Sequence, residues 1–332
     1  MSTMERILNR SAIVGERTTT QKKAQELCAL LTIWSSCYPV IYTRRAAQVS
    51  NLVVTALPDL PMPYLLLVGK IILFVYAVHS LTDERIIPYA EFLRVGEGWD
   101  LVARGGKDII PEPGDDLGVV LSGIRTELND LPLYPTLRDL WGRRLWALLL
   151  AVAQDYLDGL NCKARGADAM PKLDEYMLGG IHSGGFPFWG TTSLILFNEP
   201  ELLERSDIVN EVILQTGAAM RLYTDVTTYE KEVQEGNMNA VAIVHHDLIN
   251  SSLNRSSPER LEHAKEIVLH LADQYAQKCL DMVDQPFSKT GRFEQMIRRT
   301  LNFQATITGS FRAHHLSQAI STVDTRTFVS SR

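Results

Sequence analysis

The stretch 224–241, TDVTTYEKEVQEGNMNAV, sets two hydroxyls and a carboxylate four residues apart inside a helical pattern running from about Val209 to Leu248. At 3.6 residues per turn each residue advances roughly 100°, so Thr224, Thr228 and Glu232 fall about 40° apart in turn, on one narrow stripe. Lys231 lies roughly 20° to the other side of Thr224, and Asp225 projects close to Glu232. A row of oxygen donors beside an ammonium suits a hard divalent cation bound to a phosphate. The same polarity also suits the solvated face of a surface helix. A second acidic pair, Asp115-Asp116 in PEPGDDLGVV, follows Pro-Gly and precedes an apolar helix. That context makes it a helix cap and a first-turn acid rather than a ligand pair.

The elements that must position the 224–241 stripe are helical. Apolar residues at i, i+3, i+4 and i+7 recur in Ala24–Thr43, Tyr64–Leu81, Leu117–Leu128, Leu137–Leu160, Ile208–Leu222, Val233–Ser251, Pro258–Val283 and Phe293–Thr308. Ser257-Pro258 supplies a cap and a first-turn proline. Strand alternation and hairpin signals are scarce. The segment Pro63–Leu81 is apolar but interrupted by Gly69 and Lys70, which leaves its uninterrupted part too short for a bilayer. It reads as a buried helix. The stretch 96–114, GEGWDLVARGGKDIIPEPG, reads as the longest loop. A single all-α domain of about ten helices is expected, over residues 23–315, flanked by mobile segments at 1–22 and 316–332.

Composition agrees with a soluble globular chain: 332 residues, 45% hydrophobic, 22% charged, mean hydropathy -0.04. A net charge of -6 disfavours nucleic acid as a partner. Cys28, Cys37, Cys162 and Cys279 form no CxxC or zinc spacing and read as buried free thiols of a reducing, cytoplasmic compartment.

The stretch 224–241 resembles the second metal motif of class I terpene cyclases, Asn-Asp-x-x-Ser/Thr-x-x-Lys-Glu followed by glycine and asparagine. Asp225, Thr228, Lys231, Glu232, Gly236 and Asn239 match, and Thr224 stands where the family has asparagine. Upstream, DLWGRRLWALLLAVAQDYLDG and PKLDEYMLGGIHSGGFPFWG resemble the paired central helices of the microbial members, with Pro171, Glu175 and Tyr176 at the opening of the second and Gly184 at its break. The resemblance spans roughly residues 24–312. It implies a single-domain isoprenoid synthase bundle around a central cavity, Mg2+ as cofactor, three ions in number, and ionisation of an isoprenyl diphosphate.

Three features depart from that pattern. In register with the family's first metal motif, Asp-Asp-x-x-Asp/Glu, the chain offers His79-Ser80-Leu81-Thr82-Asp83, then Glu84. Imidazole is a poor magnesium ligand, which makes His79 a capping or packing residue and leaves Asp83 and Glu84 as the carboxylates. The sensor arginine expected four residues after Tyr176 is Gly180. The C-terminal Arg-Tyr pair is replaced by Ser310-Phe311, with Arg312 one step later. Lys231, Arg221 and Arg312 are the candidate cations for a departing diphosphate. With Asn absent at 224, Asp225 is the substitute carboxylate on the stripe.

The resemblance also implies an aromatic-lined pocket, since ring faces stabilise carbocations; Phe74, Tyr76, Phe188, Trp189 and Phe303, with Gly184 at the helix break, are its candidate walls. The implied reaction is cyclisation of farnesyl diphosphate to a sesquiterpene, a humulene-type ring included, and a homodimer is compatible with it. Two alternatives stay open: a prenyl-transferring or hydrating enzyme on the same fold, and a catalytically inactive terpenoid-binding relative.

Overall fold

A computed structural model describes residues 3–105, 109–250 and 256–309, with side chains from residue 19 onward. Among the described residues there is no strand. Thirteen α-helices follow in order: α1 (Thr3–Ser35), α2 (Ala46–Ala56), α3 (Met62–Asp83), α4 (Tyr89–Arg104), α5 (Asp116–Asn129), α6 (Tyr134–Arg165), α7 (Leu173–Ser183), α8 (Phe186–Phe197), α9 (Glu201–Glu204), α10 (Ser206–Glu235), α11 (Ala240–Asn250), α12 (Ser257–Met282) and α13 (Arg292–Thr308). The all-α expectation holds, with more helices than periodicity alone separates.

Two helices make the centre because their sequences are apolar all round. In α8, FPFWGTTSLILF, every residue is buried. Its three hydroxyls turn back on their own helix, Thr191 donating to the Pro187 carbonyl at 2.7 Å, Thr192 to Phe188 at 3.3 Å and Ser193 to Trp189 at 3.2 Å. Helix α3 has the length and apolarity of a membrane span, and 72% of its most apolar window is buried inside the bundle. It touches α1, α2, α5, α6 and α8. Its one internal charge, Lys70, is buried and reaches Glu127 at 2.6 Å.

Helix α10 crosses the bundle against α12, α13, α7, α8 and α11. The expected continuous pattern Val209–Leu248 is in fact two helices. Gly236 (φ 74) ends α10, and the chain restarts at Ala240. Helices α7 and α8 meet at Gly184-Gly185, with Gly184, the residue expected at the break, ending α7. Gly185 has φ 76, and a Cβ there would lie 2.7 Å from Val75 Cγ1, so only glycine lets α7 turn into α8 against α3.

Other expectations are corrected. Residues Tyr89–Arg104 are helix α4, so the first nine residues of the stretch 96–114 are not loop; Trp99 and Phe92 supply that helix with a buried face. The cap of α12 is Ser256, one residue earlier than expected, paired with Glu259 (2.8 Å). Asp115 caps α5 through Gly118 N at 2.8 Å and also accepts from Trp99 Nε1. Cys279 is buried, but Cys37 is exposed. Helix α1 already runs from Thr3. Residues 316–332, with Arg312 and Phe311, lie outside the described residues.

Candidate active site at the ends of α3, α7 and α10

The oxygen stripe of α10 runs from solvent to the bundle interior. Thr224 is exposed, while Thr228 and Glu232 are half-buried. The Thr228 hydroxyl donates to the Thr224 carbonyl at 2.8 Å, which leaves its lone pairs outward. Glu232 Oε2 accepts from Asn239 Nδ2 at 2.8 Å, and the same amide nitrogen lies 2.8 Å from the Asp225 carbonyl. Asn239, three residues past the Gly236 break, therefore fixes the orientation of Glu232. Lys231 is exposed and pairs with Glu235 at 3.2 Å.

Asp225, two turns before Glu232 on the same side of α10, points into the bundle and is fully buried. Its Oδ2 accepts from Tyr176 OH (2.8 Å) and from Ala240 N (3.0 Å), and its Oδ1 lies 3.0 Å from Arg221 Nε. Arg221, one turn earlier, is buried with it. The guanidinium donates to Tyr176 OH through both Nε and Nη2, to Ser183 Oγ at 3.0 Å and to the Met238 carbonyl at 3.4 Å, and Asp155 Oδ2 lies 3.4 Å away. This one side chain binds α6, α7, α10 and the 236–239 turn together. Gly180 provides its space: a Cβ at 180 would sit 3.4 Å from Arg221 Cγ.

At the end of α3, His79 Nε2 donates to the Ser183 carbonyl at 2.7 Å, capping the last turn of α7. His79 thus holds the α7 break rather than presenting a ring to a cation. Asp83 is half-buried. Burial raises its pKa; the charges of His79, Arg221 and Lys231 oppose that, and Glu232 adds to it. Asp83 and Glu232 therefore lie within electrostatic reach of each other, one from each helix. Glu84 is exposed and turned aside, accepting from Tyr42 OH at 2.9 Å with Arg44 at 3.6 Å.

Sequence reasoning passed over Asp155. It lies in α6, and burial raises its pKa against the pull of Arg221, His79 and a Ser183 hydrogen bond, with Asp83 raising it further. Its signal was a lone acid in the apolar run LLLAVAQDY. Four carboxylates, Asp83, Asp155, Asp225 and Glu232, surround one buried guanidinium. Burial and Glu232 push Asp225 up to about 7 even with Arg221 beside it. Arg221 itself is held well above its usual value: burial opposes its charge, but Asp225, Tyr176, Asp155 and Glu232 outweigh it.

An acid excess of this kind fits an added cation. Among the described residues no three His, Cys, Asp or Glu side chains form a ready-made cage. Magnesium needs none, because it keeps waters and takes one or two carboxylates together with substrate phosphates. Asp83 and Glu232 offer that donor set, with the Thr228 hydroxyl beside Glu232.

A family model described as "Terpene synthase family 2, C-terminal metal binding" matches residues 70–274, a span that takes in both Asp83 and Glu232. The chain belongs to this terpene synthase family. A curated relative, the ent-pimara-9(11),15-diene synthase of Streptomyces sp. (strain KO-3988), is 27% identical over 169 residues, 49% of this chain and 54% of the relative. The chain thus spans about half the length of that relative. Among solved structures it resembles the linalool/nerolidol synthase of Streptomyces clavuligerus in complex with 2-fluorogeranyl diphosphate (TM-score 0.65, 13% identity, 87% of this chain and 95% of that one). It also resembles the SVS_A2 protein from ancestral sequence reconstruction (TM-score 0.65, 16% identity, 86% and 84%). At these identities the likeness establishes the fold.

Within this terpene synthase scaffold the named aromatic residues are core neighbours. Phe74 meets Trp99 edge-on at 6.1 Å, Phe188 lies 4.9 Å from Trp141, and Trp189 meets Phe186 at 4.5 Å. Phe303 is buried in α13. Tyr76 is half-buried, with the Arg45 guanidinium 4.9 Å over its ring. Gly184 is exposed at the end of α7.

Proposed function

We propose that the protein ionises an isoprenyl diphosphate with the help of magnesium and cyclises the resulting carbocation. Farnesyl diphosphate is the favoured substrate and a sesquiterpene, humulene-type rings included, the product class. The reading rests above all on Asp83 of α3 and Glu232 of α10 lying within electrostatic reach of each other in an acid-rich site built around the buried Arg221. The family match and the fold of its relatives agree with it.

In this reading Asp83, Glu232 and Thr228 would hold the metal, and Asn239 keeps Glu232 aimed by its hydrogen bond. Bound magnesium supplies Lewis acid stabilisation of the leaving group. The allylic C–O bond breaks heterolytically and both electrons depart with the diphosphate. Lys231 swings from Glu235 to take part of that charge, a small movement for an exposed ammonium on a flexible stem. Arg221 and Asp225 position rather than bind: their polar atoms are engaged with Tyr176, Ser183, Ala240 and each other. Through Ser183 and the His79 cap they set the α7–α8 turn at Gly184, where the apolar part of the site begins. Phe74, Tyr76, Phe188, Trp189 and Phe303 supply ring faces and exclude water from the cation.

The test is to incubate purified protein with geranyl, farnesyl and geranylgeranyl diphosphates, with magnesium and then with chelator, and to analyse the organic extract. Metal-dependent cyclic hydrocarbon from the C15 substrate is expected. A hydroxylated or prenylated adduct would move the activity to a transferring or hydrating enzyme. Tight ligand binding without turnover would make the protein an inactive relative.

A further inference from the structure

The ends of α3 and α10 are built alike. At α3, Ile86 N donates to the Leu81 carbonyl (3.0 Å) and Arg85 N to Thr82 (3.1 Å). At α10, Asn237 N donates to Glu232 (2.8 Å) and Gly236 N to Val233 (3.2 Å). Both are six-to-one and five-to-two pairs, the helix stop whose penultimate residue adopts the left-handed region and is usually glycine. Gly236 (φ 74) obeys that preference; Arg85 (φ 53) does not. A left-handed non-glycine residue carries a backbone cost that glycine would relieve.

The side chain of Arg85 bridges the two stops. Its Nη2 lies 3.5 Å from where a Cβ of Gly236 would stand. Gly236 is in turn pressed on α6, since a Cβ on Gly159 would approach its carbonyl to 2.9 Å. The guanidinium thus sits two residues beyond Asp83 and beside the turn that follows Glu232. The other cations of this region have acidic partners: Arg44 with Glu84, Lys231 with Glu235, Arg221 with Asp225 and Asp155. Among the described residues no carboxylate pairs with Arg85, and it is half-buried.

We propose that Arg85 is a further substrate-binding residue, whose guanidinium grips the diphosphate held between the ends of α3 and α10. The proposal rests on the isoprenyl diphosphate reading above. A planar guanidinium offers two parallel N–H donors to phosphate oxygens, so it both orients the group and takes the charge that grows on it as the C–O bond breaks. Arg85 transfers no group or proton in this step.

The experiment measures binding of inorganic pyrophosphate, in the presence of magnesium, to the full chain by calorimetry, with thermal melts of the same samples. Arg85→Gly removes the guanidinium and relieves the left-handed backbone; Arg85→Lys keeps a charge without the fork. The expected result is a loss of roughly tenfold or more in pyrophosphate affinity for Arg85→Gly, a smaller loss for Arg85→Lys, and an Arg85→Gly melting temperature equal to or above that of the wild type. With farnesyl diphosphate the same variant should lose kcat as well as gain KM. If Arg85→Gly binds pyrophosphate within twofold of the wild type, the proposal is overturned while the reading of the site stands. If it melts far below the wild type, Arg85 is a structural clasp on Gly236 and the proposal equally falls. If the wild type itself binds no magnesium pyrophosphate and turns over no isoprenyl diphosphate, the reading of the whole site fails first.

Discussion

Replacing Arg221 by methionine keeps most of the side-chain volume and removes the buried positive charge that lies against Asp225. The carboxylate left behind is fully buried, with Tyr176 OH and Ala240 N as its remaining partners. Removing one partner of such a pair costs about 3–5 kcal/mol, because the other charge stays desolvated. For a chain of 332 residues 1 kcal/mol moves Tm by only about 1–2 °C, so Arg221→Met should melt roughly 4–7 °C lower. Protonation limits that cost. Burial holds Asp225 at about 7 in the wild type with Arg221 lowering it, so in the variant it titrates higher still. A carboxyl raised above its unfolded value stabilises the fold fully below the unfolded pKa and loses that contribution as pH rises through the folded one. The wild type stops losing stability through this group just above pH 7, whereas the variant continues to lose it. The gap between the two should therefore widen from about pH 6 to 8.5. Urea unfolding across that range measures it, and the double variant Arg221→Met/Asp225→Leu should recover most of the loss by removing the orphaned charge. A cost of Arg221→Met below about 1 kcal/mol at pH 8, or a double variant no more stable than the single, would refute the account of Arg221 as the compensating charge.

Asp83→Asn and Glu232→Gln should each lower magnesium-dependent turnover by on the order of 100-fold or more while leaving the fold intact, read by product yield against circular dichroism. Gly185→Ala should destabilise by about 1–3 kcal/mol, because its backbone is left-handed and its Cβ would meet Val75, and a thermal melt checks it. Glu294 lies at the start of α13, where burial raises its pKa but hydrogen bonds from the Ser288 hydroxyl and from Ser288 and Phe287 N–H outweigh it, leaving a net depression. A depressed carboxylate stabilises the fold above its unfolded pKa and loses that contribution on acidification, so Glu294→Gln should be less stable at neutral pH and show a flatter acid limb in unfolding.

The stripe of α10 was legible because a helix converts spacing into direction, and Thr228 and Glu232 share the face that the spacing assigned them. The burial of Asp225 was not legible there, since its partner Tyr176 stands 49 residues away and only folding brings it to the carboxylate that Arg221, one turn earlier, already faces. Helix α4 was partly read as loop because its two glycines, Gly96 and Gly98, are poor helix formers, and the buried Trp99 and Phe92 override them. A capping role for His79 was legible from its ligand chemistry, but not what it caps. Its partner carbonyl, Ser183, is 104 residues away. Asp155 went unnoticed because a single acid in an apolar helix has no local pattern to mark it.

Helix α3 brings a consequence for how the chain is made. It emerges during synthesis as 22 residues whose greasy surface has only α1 and α2 to pack on until α5, α6 and α8 have followed. Until then it offers targeting factors and other nascent chains the same surface a bilayer anchor would. A fragment ending before Phe186 should stick to membranes or aggregate, and the full chain should depend on chaperones that shield this segment until the last of its neighbours has been translated.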